Sequence, residues 1–520
     1  MKRIIASILL VLLLPACAAP VEITPISTLL PTETPTPTTT STTTETPAPT
    51  MLLIEVDGLQ IPDPKVSNPE LFDLTEHLVT ERNSPIVQFA NAFEVNPEEV
   101  GNLTPQLLTG IDGKQFVVMT TGDLSATTSF DESNTPLIMA EQGENGEWVW
   151  SKATLRSFAD MKNMSIGAPL KDQYLNKPGY IEIITQNVNK AIISEGLDIR
   201  DVFKNFNRAT WQTVLDNWDQ IEKQLNEGIV PSGFDYNWAP SKAVVDLAKQ
   251  NNMSIRVQHL LAGGDAPDSI LNSDFSPEEL LKILEFTVKT KVLQYKGQIQ
   301  EWDAADEAFV STQYMPDNGI YSFWFTNLGG KQVIIDVARW AKQADPSIKL
   351  VLAEDHVMEN RFYDLQPKLN ISLFDFLRRV KAENIPIDGV AIENNLWIYN
   401  PPDKAYMISI LKQISDLGFY NATPETTVIT SLDYPIWDEI PATPITVDDP
   451  LIAQAVLYQT VLEAYLEAGT NSFGFGDMAD DFSWYTYMPG NAEATVFDQN
   501  NNPKPAYYAL LKTLFNYVTR

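Results

Sequence analysis

Cysteine is almost absent from this sequence, and the single copy is Cys17, near the N-terminus. One cysteine excludes the internal disulfide framework that stabilises many small exported proteins. We therefore expect a fold that is held together by its apolar core, without disulfides. We expect neither a cofactor nor a metal ion.

Basic residues are few compared with acidic ones, at 36 Lys and Arg against 68 Asp and Glu, which gives a net charge of −32. If the N-terminal segment with Lys2 and Arg3 is removed, 34 basic residues remain against 68 acidic ones, and the net charge becomes −34. Such a charge repels nucleic acids and anionic lipid surfaces. It has no effect on a neutral polysaccharide, so a polysaccharide remains a possible partner and nucleic acid does not.

Long apolar runs are also missing: none after the N-terminus offers the roughly 20 residues that a membrane-spanning helix needs. Met1-Lys2-Arg3 followed by the apolar run Ile4 to Leu14 has the layout of a secretory signal. Leu14-Pro15-Ala16-Cys17 resembles a bacterial lipobox, so we expect residues 1–19 to contain the signal peptide and its lipobox, and Cys17 to carry lipid after cleavage. Conventional cleavage after Ala16 or Ala19 is the alternative. The sequence thus predicts an exported lipoprotein on the cell surface, anchored to the membrane by lipid only.

Two regions precede the main body of the chain. Residues 20–50 are almost entirely Thr, Pro, Ser, Ala and Glu, a composition typical of an extended spacer. Residues 51–152 form a small accessory region with several strand-like runs and two predicted helices, Asn68–Thr80 and Pro85–Phe93. No chemistry is evident in this region. We favour a packing extension over a sugar-binding module.

From residue 153 to 520, helical segments alternate with short β-branched runs, the pattern of a parallel (β/α)8 barrel. The expected fold class is therefore α/β, a TIM barrel preceded by a small, partly β-rich region. Tyr180–Ile184 is predicted as the second strand of the barrel, and Thr427–Asp433 as the seventh. The stretch Gln300–Phe309 places two carboxylates, Asp306 and Glu307, at the end of a strand. Catalytic residues of such barrels lie at that end.

The segment Tyr295-Lys296-Gly297 followed by Trp302-Asp303-Ala304-Ala305-Asp306-Glu307-Ala308 resembles the acid/base segment of glycoside hydrolase family 10, the endo-β-1,4-xylanases. The resemblance runs from about Ala153 to Leu514, with all eight strand segments in order. It implies hydrolysis of a β-1,4-linked, xylan-like polysaccharide, with Glu307 as general acid/base. Asp306 stands where the family has Asn.

Several positions depart from the family pattern. Ser431 stands where the family has its nucleophilic Glu, and Glu393 and Asn395 replace a Gln and a His at the end of the sixth strand. The resemblance implies sugar contacts for His259 and Trp484, and for Phe473 in place of a Trp. We also expect Asn395, at its cleft-facing position, to contact the sugar. The Trp-His pair expected after His259 has become Gly263-Gly264.

These departures leave two main hypotheses. In the first, the protein is a hydrolase in which Glu393 or Asp306 replaces the missing carboxylate, because a serine without a base is a poor nucleophile. Direct attack by water would then invert the product, which needs a base roughly 6.5–9.5 Å from Glu307. In the second, the barrel is inactive and binds carbohydrate through the aromatic residues Phe473, Phe475, Phe482, Trp484, Tyr485 and Tyr487. A barrel without any sugar role is a third possibility. We expect a monomer.

Overall fold

The computed structural model describes residues 53–56, 58–62, 103–121, 130, 136–143, 146, 148–309, 323–359, 366–431, 446–487 and 493–519. Cys17, the Thr/Pro-rich stretch and the helices predicted at Asn68–Thr80 and Pro85–Phe93 lie outside these residues. Among the described residues, no helix combines the length and the hydropathy that crossing a membrane requires.

The accessory region consists of a two-stranded hairpin and a four-stranded antiparallel sheet in the order β3-β4-β5-β6. Its strands are β1 Leu53–Val56, β2 Leu59–Pro62, β3 Leu103–Thr109, β4 Gln115–Thr121, β5 Pro136–Gln142 and β6 Trp148–Lys152. Successive strand residues point to opposite faces. On β4, Val117 packs with Val56 and Ile61 of the hairpin, whereas Phe116 and Val118 belong to the large core of the barrel.

Because Phe116 and Val118 join the barrel core, the sheet packs against the barrel. The chain from Met51 onward forms one compact unit. This arrangement favours a packing extension for residues 51–152.

The barrel is one parallel sheet built from nine strands. They are β7 Ser165–Pro169, β8 Lys190–Ile193, β9 Ser254–Val257, β10 Glu301–Asp306, β11 Lys349–Asp355, β12 Gly389–Trp397, β13 Tyr420–Asn421, β14 Glu425–Ile429 and β15 Ser472–Gly474. Strands β13 and β14 both pair with β12 and together occupy the seventh position. A bridge between Thr426 and Phe475 joins β14 to the segment after β15, and β15 pairs with β7. The sheet is thereby closed as a (β/α)8 barrel.

The prediction of the second strand is wrong. Tyr180–Ile184 begins a helix, and the second strand is Lys190–Ile193. The buried residues of the helix, Tyr180, Ile183, Ile184 and Asn187, follow helical i, i+3, i+4, i+7 spacing. Gly179, with a φ of 79°, turns the chain into it. The seventh strand also ends at Ile429, earlier than predicted.

Helices surround the barrel strands. They are α1 Leu155–Met161, α2 Tyr180–Asn187, α3 Ile199–Val202, α4 Arg208–Asp216, α5 Trp218–Asn226, α6 Ala239–Gln250, α7 Asp268–Leu271, α8 Pro277–Gln294, α9 Phe323–Asn327, α10 Gln332–Ala344, α11 Gln366–Ala382, α12 Lys404–Asp416, α13 Pro450–Glu467 and α14 Pro505–Val518. Helix α8 begins with a capping box between Ser276 and Glu279 and has Pro277 in its first turn.

An ionic layer crosses the barrel interior beneath its C-terminal rim. Arg256 on β9 is fully buried and makes two hydrogen bonds to Asp303 on β10, at 2.8 and 2.6 Å. It also donates to the carbonyl oxygen of Thr423 at 2.7 Å and lies 3.3 Å from Glu425 on β14. One guanidinium therefore connects three barrel strands directly below the candidate site.

Candidate active site

A residue with a left-handed backbone lies just after each of three neighbouring strands. His259 (φ 27°) lies just past β9, Glu307 (φ 47°) follows β10 and His356 (φ 60°) follows β11. This conformation is unfavourable for residues other than glycine, and strain of this kind concentrates at functional sites. The backbone N–H of Glu307 donates to the carbonyl oxygen of Ala353 at 3.2 Å, which holds the turn against β11.

The centre of the site is a trio of carboxylates from three adjacent strands. One oxygen each of Glu307, Asp355 and Glu393 lies within 4.8 Å of the others. Asp355 is buried, and Glu307 and Glu393 are half-buried. The strand register explains why Asp355 and Glu393 lie close together, because Asp355 on β11 pairs directly with Glu393 on β12. Like charges at this distance favour retention of protons.

The environment raises the pKa of both glutamates. Burial, together with the charges of Asp306 and Asp355, raises the pKa of Glu307 to about 8. Burial and the charges of Asp306 and Glu425 hold the pKa of Glu393 well above its ordinary value. Glu307 can therefore keep a proton at neutral pH, which a general acid requires.

Asp306 has the opposite tendency, although it is the adjacent residue. Burial alone would raise its pKa, but the contacts with His259 and Glu393 lower it. Asp306 Oδ2 lies 3.4 Å from His259 Nδ1, and Asp198 Oδ1 lies 3.0 Å from His259 Nε2. His259, predicted as a sugar contact, therefore directs both ring nitrogens at carboxylates.

Asn395 is held in a hydrogen-bond network. Its side-chain nitrogen donates to Asp355 at 3.0 Å, and its backbone N–H donates to Glu359 at 3.0 Å. Its side-chain oxygen accepts from the hydroxyl of Tyr485 at 2.7 Å. Glu359 also contacts His356 Nδ1 at 2.8 Å. Asn395 thus fixes the orientation of Asp355 within the trio.

Ser431 provides no carboxylate. It lies two residues beyond the end of β14, and its carbonyl oxygen accepts a hydrogen bond of 3.0 Å from the indole of Trp397. Among the predicted site residues, Glu393 is the carboxylate that lies against Glu307.

The predicted aromatic surface is mostly core. Phe473 has a relative exposure of 1% and packs edge-on against Tyr465 and Phe475, so its prediction as a sugar contact is corrected: it packs strand β15 against helix α13. Phe475, Phe482 and Tyr485 are also buried. Trp484 has a relative exposure of 42%, and its ring lies 3.9 Å from that of Tyr485. It can therefore present a face to a sugar. The side chain of Tyr487 lies outside the described residues.

Sequence reasoning missed Asp198, Asp355 and Glu359 as site residues. Asp355 ends its strand just as Asp306 does, so its position alone was a usable signal. Asp198 and Glu359 lie in loops after strands, and their approach to His259 and His356 depends on tertiary structure.

Within the part of the chain that the structure describes, three groups of residues are spaced closely enough to surround a cation: Asp198, His259 and Asp265; Asp355, His356 and Glu359; Glu307, Asp355 and Glu393. In the first two, the imidazole already pairs with the carboxylates. In the third, the pKa values of Glu307 and Glu393 are raised, and protonation of these glutamates reduces the repulsion among the three carboxyl groups. We therefore assign none of these residues as a metal ligand.

Comparison with known proteins identifies the family from the sequence as a whole. Residues 156–513 match the family model described as Glycosyl hydrolase family 10. The chain belongs to glycosyl hydrolase family 10. It is 26% identical over 365 residues to endo-1,4-beta-xylanase B of Thermotoga neapolitana, covering 68% of this chain and 90% of the relative. It is 24% identical to a beta-1,4-xylanase of Dictyoglomus thermophilum, covering 59% of this chain and 82% of that one.

Solved structures agree on the fold. Native xylanase 10B of Thermotoga maritima matches with a TM-score of 0.56 at 22% identity, covering 70% of this chain and 99% of that chain. Xylanase 10B of Thermotoga petrophila, solved in complex with xylobiose, matches with the same TM-score and covers 71% of this chain and 99% of that chain. This family 10 chain therefore has the barrel fold of the xylanases.

Proposed function

We propose that this family 10 protein hydrolyses a β-1,4-linked, xylan-like polysaccharide, with Glu307 as general acid/base. The observation that carries the proposal is the half-buried Glu307 at the end of β10, with its pKa raised to about 8. A carboxyl group that keeps its proton at neutral pH can protonate the departing glycosidic oxygen.

We propose Glu393 as the second carboxylate. Its oxygen lies within 4.8 Å of Glu307. Retaining glycosidases separate their carboxyl groups by about 5–5.5 Å, whereas inverting enzymes need about 6.5–9.5 Å to admit a water molecule. The short separation argues against the inverting route expected from the sequence. It favours attack by Glu393 on the anomeric carbon, formation of a glycosyl-enzyme and hydrolysis by a water that Glu307 activates.

The productive state needs a proton on Glu307 and a negative charge on Glu393. Because the pKa of Glu393 is also raised, the two glutamates compete for the proton. We therefore expect slow turnover, with an optimum at higher pH than a pair of ordinary carboxyl groups would give.

The second candidate function is carbohydrate binding without hydrolysis. The observations that favour it are Ser431 at the nucleophile position and the exposed ring of Trp484. In this case Glu307 would only accept hydrogen bonds from the sugar.

One assay separates the two candidates. The purified protein is incubated with a panel of β-1,4-glycans, and release of reducing ends is measured together with binding. Release above that of the Glu307→Gln protein supports hydrolysis. Binding with equal, background-level release from both proteins supports the binding function.

We propose that the protein is exported and anchored through lipid on Cys17, because Leu14-Pro15-Ala16-Cys17 resembles a lipobox. Membrane fractionation of wild-type and Cys17→Ala cells tests this proposal. The wild type should be retained in the membrane fraction and the variant should be released. Equal release of both would contradict the anchor.

A further inference from the structure

His259 lies among three carboxylates that come from three different segments. Its Nε2 atom is 3.0 Å from Asp198 and 3.8 Å from Asp265, and its Nδ1 atom is 3.4 Å from Asp306. Neither ring nitrogen makes a well-aligned hydrogen bond, so these contacts are electrostatic. A neutral imidazole would gain little from such surroundings, whereas an imidazolium is stabilised from both sides.

Asp265 has a separate structural role. Its carboxylate accepts from the backbone N–H of Ile199 at 2.8 Å and from that of Arg200 at 3.2 Å, at the start of helix α3. The side chain of Arg200 also pairs with it at 3.3 Å. This leaves Asp198 and Asp306 as the main partners of the His259 ring.

A buried lysine also lies beside this group. Lys291 on helix α8 is buried and donates to the carbonyl oxygen of His259 at 3.3 Å. Burial lowers the pKa of Lys291, whereas the carboxylates hold the pKa of His259 well above its usual value. His259 contacts Asp306 directly and lowers its pKa, and the buried Arg256 on β9 adds to this effect.

On its other side, Asp306 faces the proposed catalytic carboxylates. Its Oδ1 atom is buried without a hydrogen-bond partner, as is Oε1 of Glu393. A charged Asp306 repels negative charge on Glu307 and Glu393, which keeps a proton in that pair. If Asp306 were protonated, this repulsion would disappear.

We propose that Asp198 and His259 are positioning residues that hold Asp306 in its charged form, so that the proton of the site stays with the Glu307–Glu393 pair. The proposal rests on the glycosidase function proposed above. Asp198 orients the imidazolium through Nε2, and the imidazolium stabilises the Asp306 carboxylate through Nδ1.

Histidine NMR tests the charge of His259 without reference to activity. The chain has three histidines, His77, His259 and His356, so ¹⁵N-histidine labelling with His77→Gln and His356→Gln variants assigns every ring. We expect His259 to remain an imidazolium at pH values above the usual histidine pKa of about 6.5. Asp198→Asn should move its titration midpoint to lower pH.

Glu359→Gln is the matched control, since Glu359 pairs with His356 and not with His259. It should move the midpoint of His356 alone. The proposal is overturned if wild-type His259 titrates as a free histidine, or if Asp198→Asn leaves its midpoint unchanged.

Activity provides the second readout. His259→Gln removes the cation that keeps Asp306 charged, so Asp306 should take up a proton and no longer raise the pKa of Glu307. The alkaline limb of the pH–activity profile should then move to lower pH, as in Asp306→Asn. If His259 had a purely structural role, its replacement would lower activity at every pH without moving the profile. An unmoved profile in a variant whose circular dichroism is native would overturn the proposal. If the wild type cleaves no glycan, the glycosidase function fails, while the histidine titration still decides whether Asp198 holds His259 charged.

Discussion

At the scale of single residues, Asp306 and Glu307 show how environment separates two adjacent carboxyl groups. The Asp306 carboxylate lies against His259, which lowers its pKa, whereas burial and two neighbouring carboxylates raise the pKa of Glu307. The sequence predicted the importance of both residues from their position at a strand end. It could not predict their opposite protonation, because that depends on His259 and Asp355 from other strands.

Replacing Glu307 by Gln should reduce hydrolysis by about 10²–10⁴-fold, since the variant can no longer donate a proton. Initial rates of the wild type and the variant on a soluble β-1,4-glycan measure this reduction. Binding of an oligosaccharide, measured by calorimetry, should survive the substitution. Full turnover by the Glu307→Gln protein would rule out this assignment.

Activity should also fall as the pH rises through about 8, because the pKa of Glu307 is raised to about 8 and the general acid must be protonated. Asp306→Asn removes one of the charges that raise this pKa, so the alkaline limb of the rate profile should move to lower pH. Asp416→Asn, on an exposed helix end, is the control and should leave the limb in place. An unmoved limb in Asp306→Asn would mean that Asp306 does not control the proton on Glu307.

At the scale of elements, Arg256 links three barrel strands below the site through Asp303, Glu425 and the carbonyl of Thr423. Removing it would leave two buried carboxyl groups without their cation. Burial, only partly offset by Arg256, already raises the pKa of Asp303 to about 6 and that of Glu425 to about 8. This layer cannot be read from the sequence, because Asp303 lies 47 residues and Thr423 lies 167 residues along the chain from Arg256.

Arg256→Met should destabilise the protein by about 3–5 kcal/mol, the usual cost of breaking a buried ion pair from one side. Thermal or urea unfolding measures the change. Arg208→Met is the matched control, because Arg208 pairs with Asp274 at the surface, and it should unfold almost as the wild type does. Equal stability of the two variants would show that the ionic layer contributes nothing.

Secondary structure was predictable where periodicity and end signals agreed. Helix α8 has a capping box and an apolar spacing that identify it directly. The second strand was misplaced because Tyr180–Ile184 is rich in isoleucine, while its helical burial pattern appears only when the segment packs against the barrel. Phe473 was misassigned for a similar reason: sequence shows an aromatic at a strand end, but not which way its ring faces.

At the scale of the whole molecule, the accessory sheet is part of the folded unit. One face of β4 contributes Phe116 and Val118 to the barrel core, and the other face is covered by the hairpin β1–β2. The fold class and the family were predictable because the ordered strand segments span most of the chain. A packing extension was also favoured from the sequence, but no motif shows which residues of the sheet contact the barrel.

A protein truncated to residues 153–520 should therefore melt at a lower temperature than one that spans residues 51–520, since the truncation exposes the apolar surface under Phe116 and Val118. Calorimetry compares the two proteins. A further protein that retains residues 20–50 should melt with the 51–520 form, because that stretch has few apolar side chains to bury. A 153–520 protein of unchanged melting temperature would show that the sheet is an independent domain.

The central claim is that Glu307 and Glu393 act together as a retaining pair. It is tested most directly by ¹H NMR of the first anomer that the wild-type protein releases from a β-1,4-xylo-oligosaccharide. Attack by Glu393 followed by water gives two inversions, so the first-formed product should be the β-anomer, which then mutarotates. A first-formed α-anomer, or no cleavage at any pH at which the protein is folded, would contradict the claim.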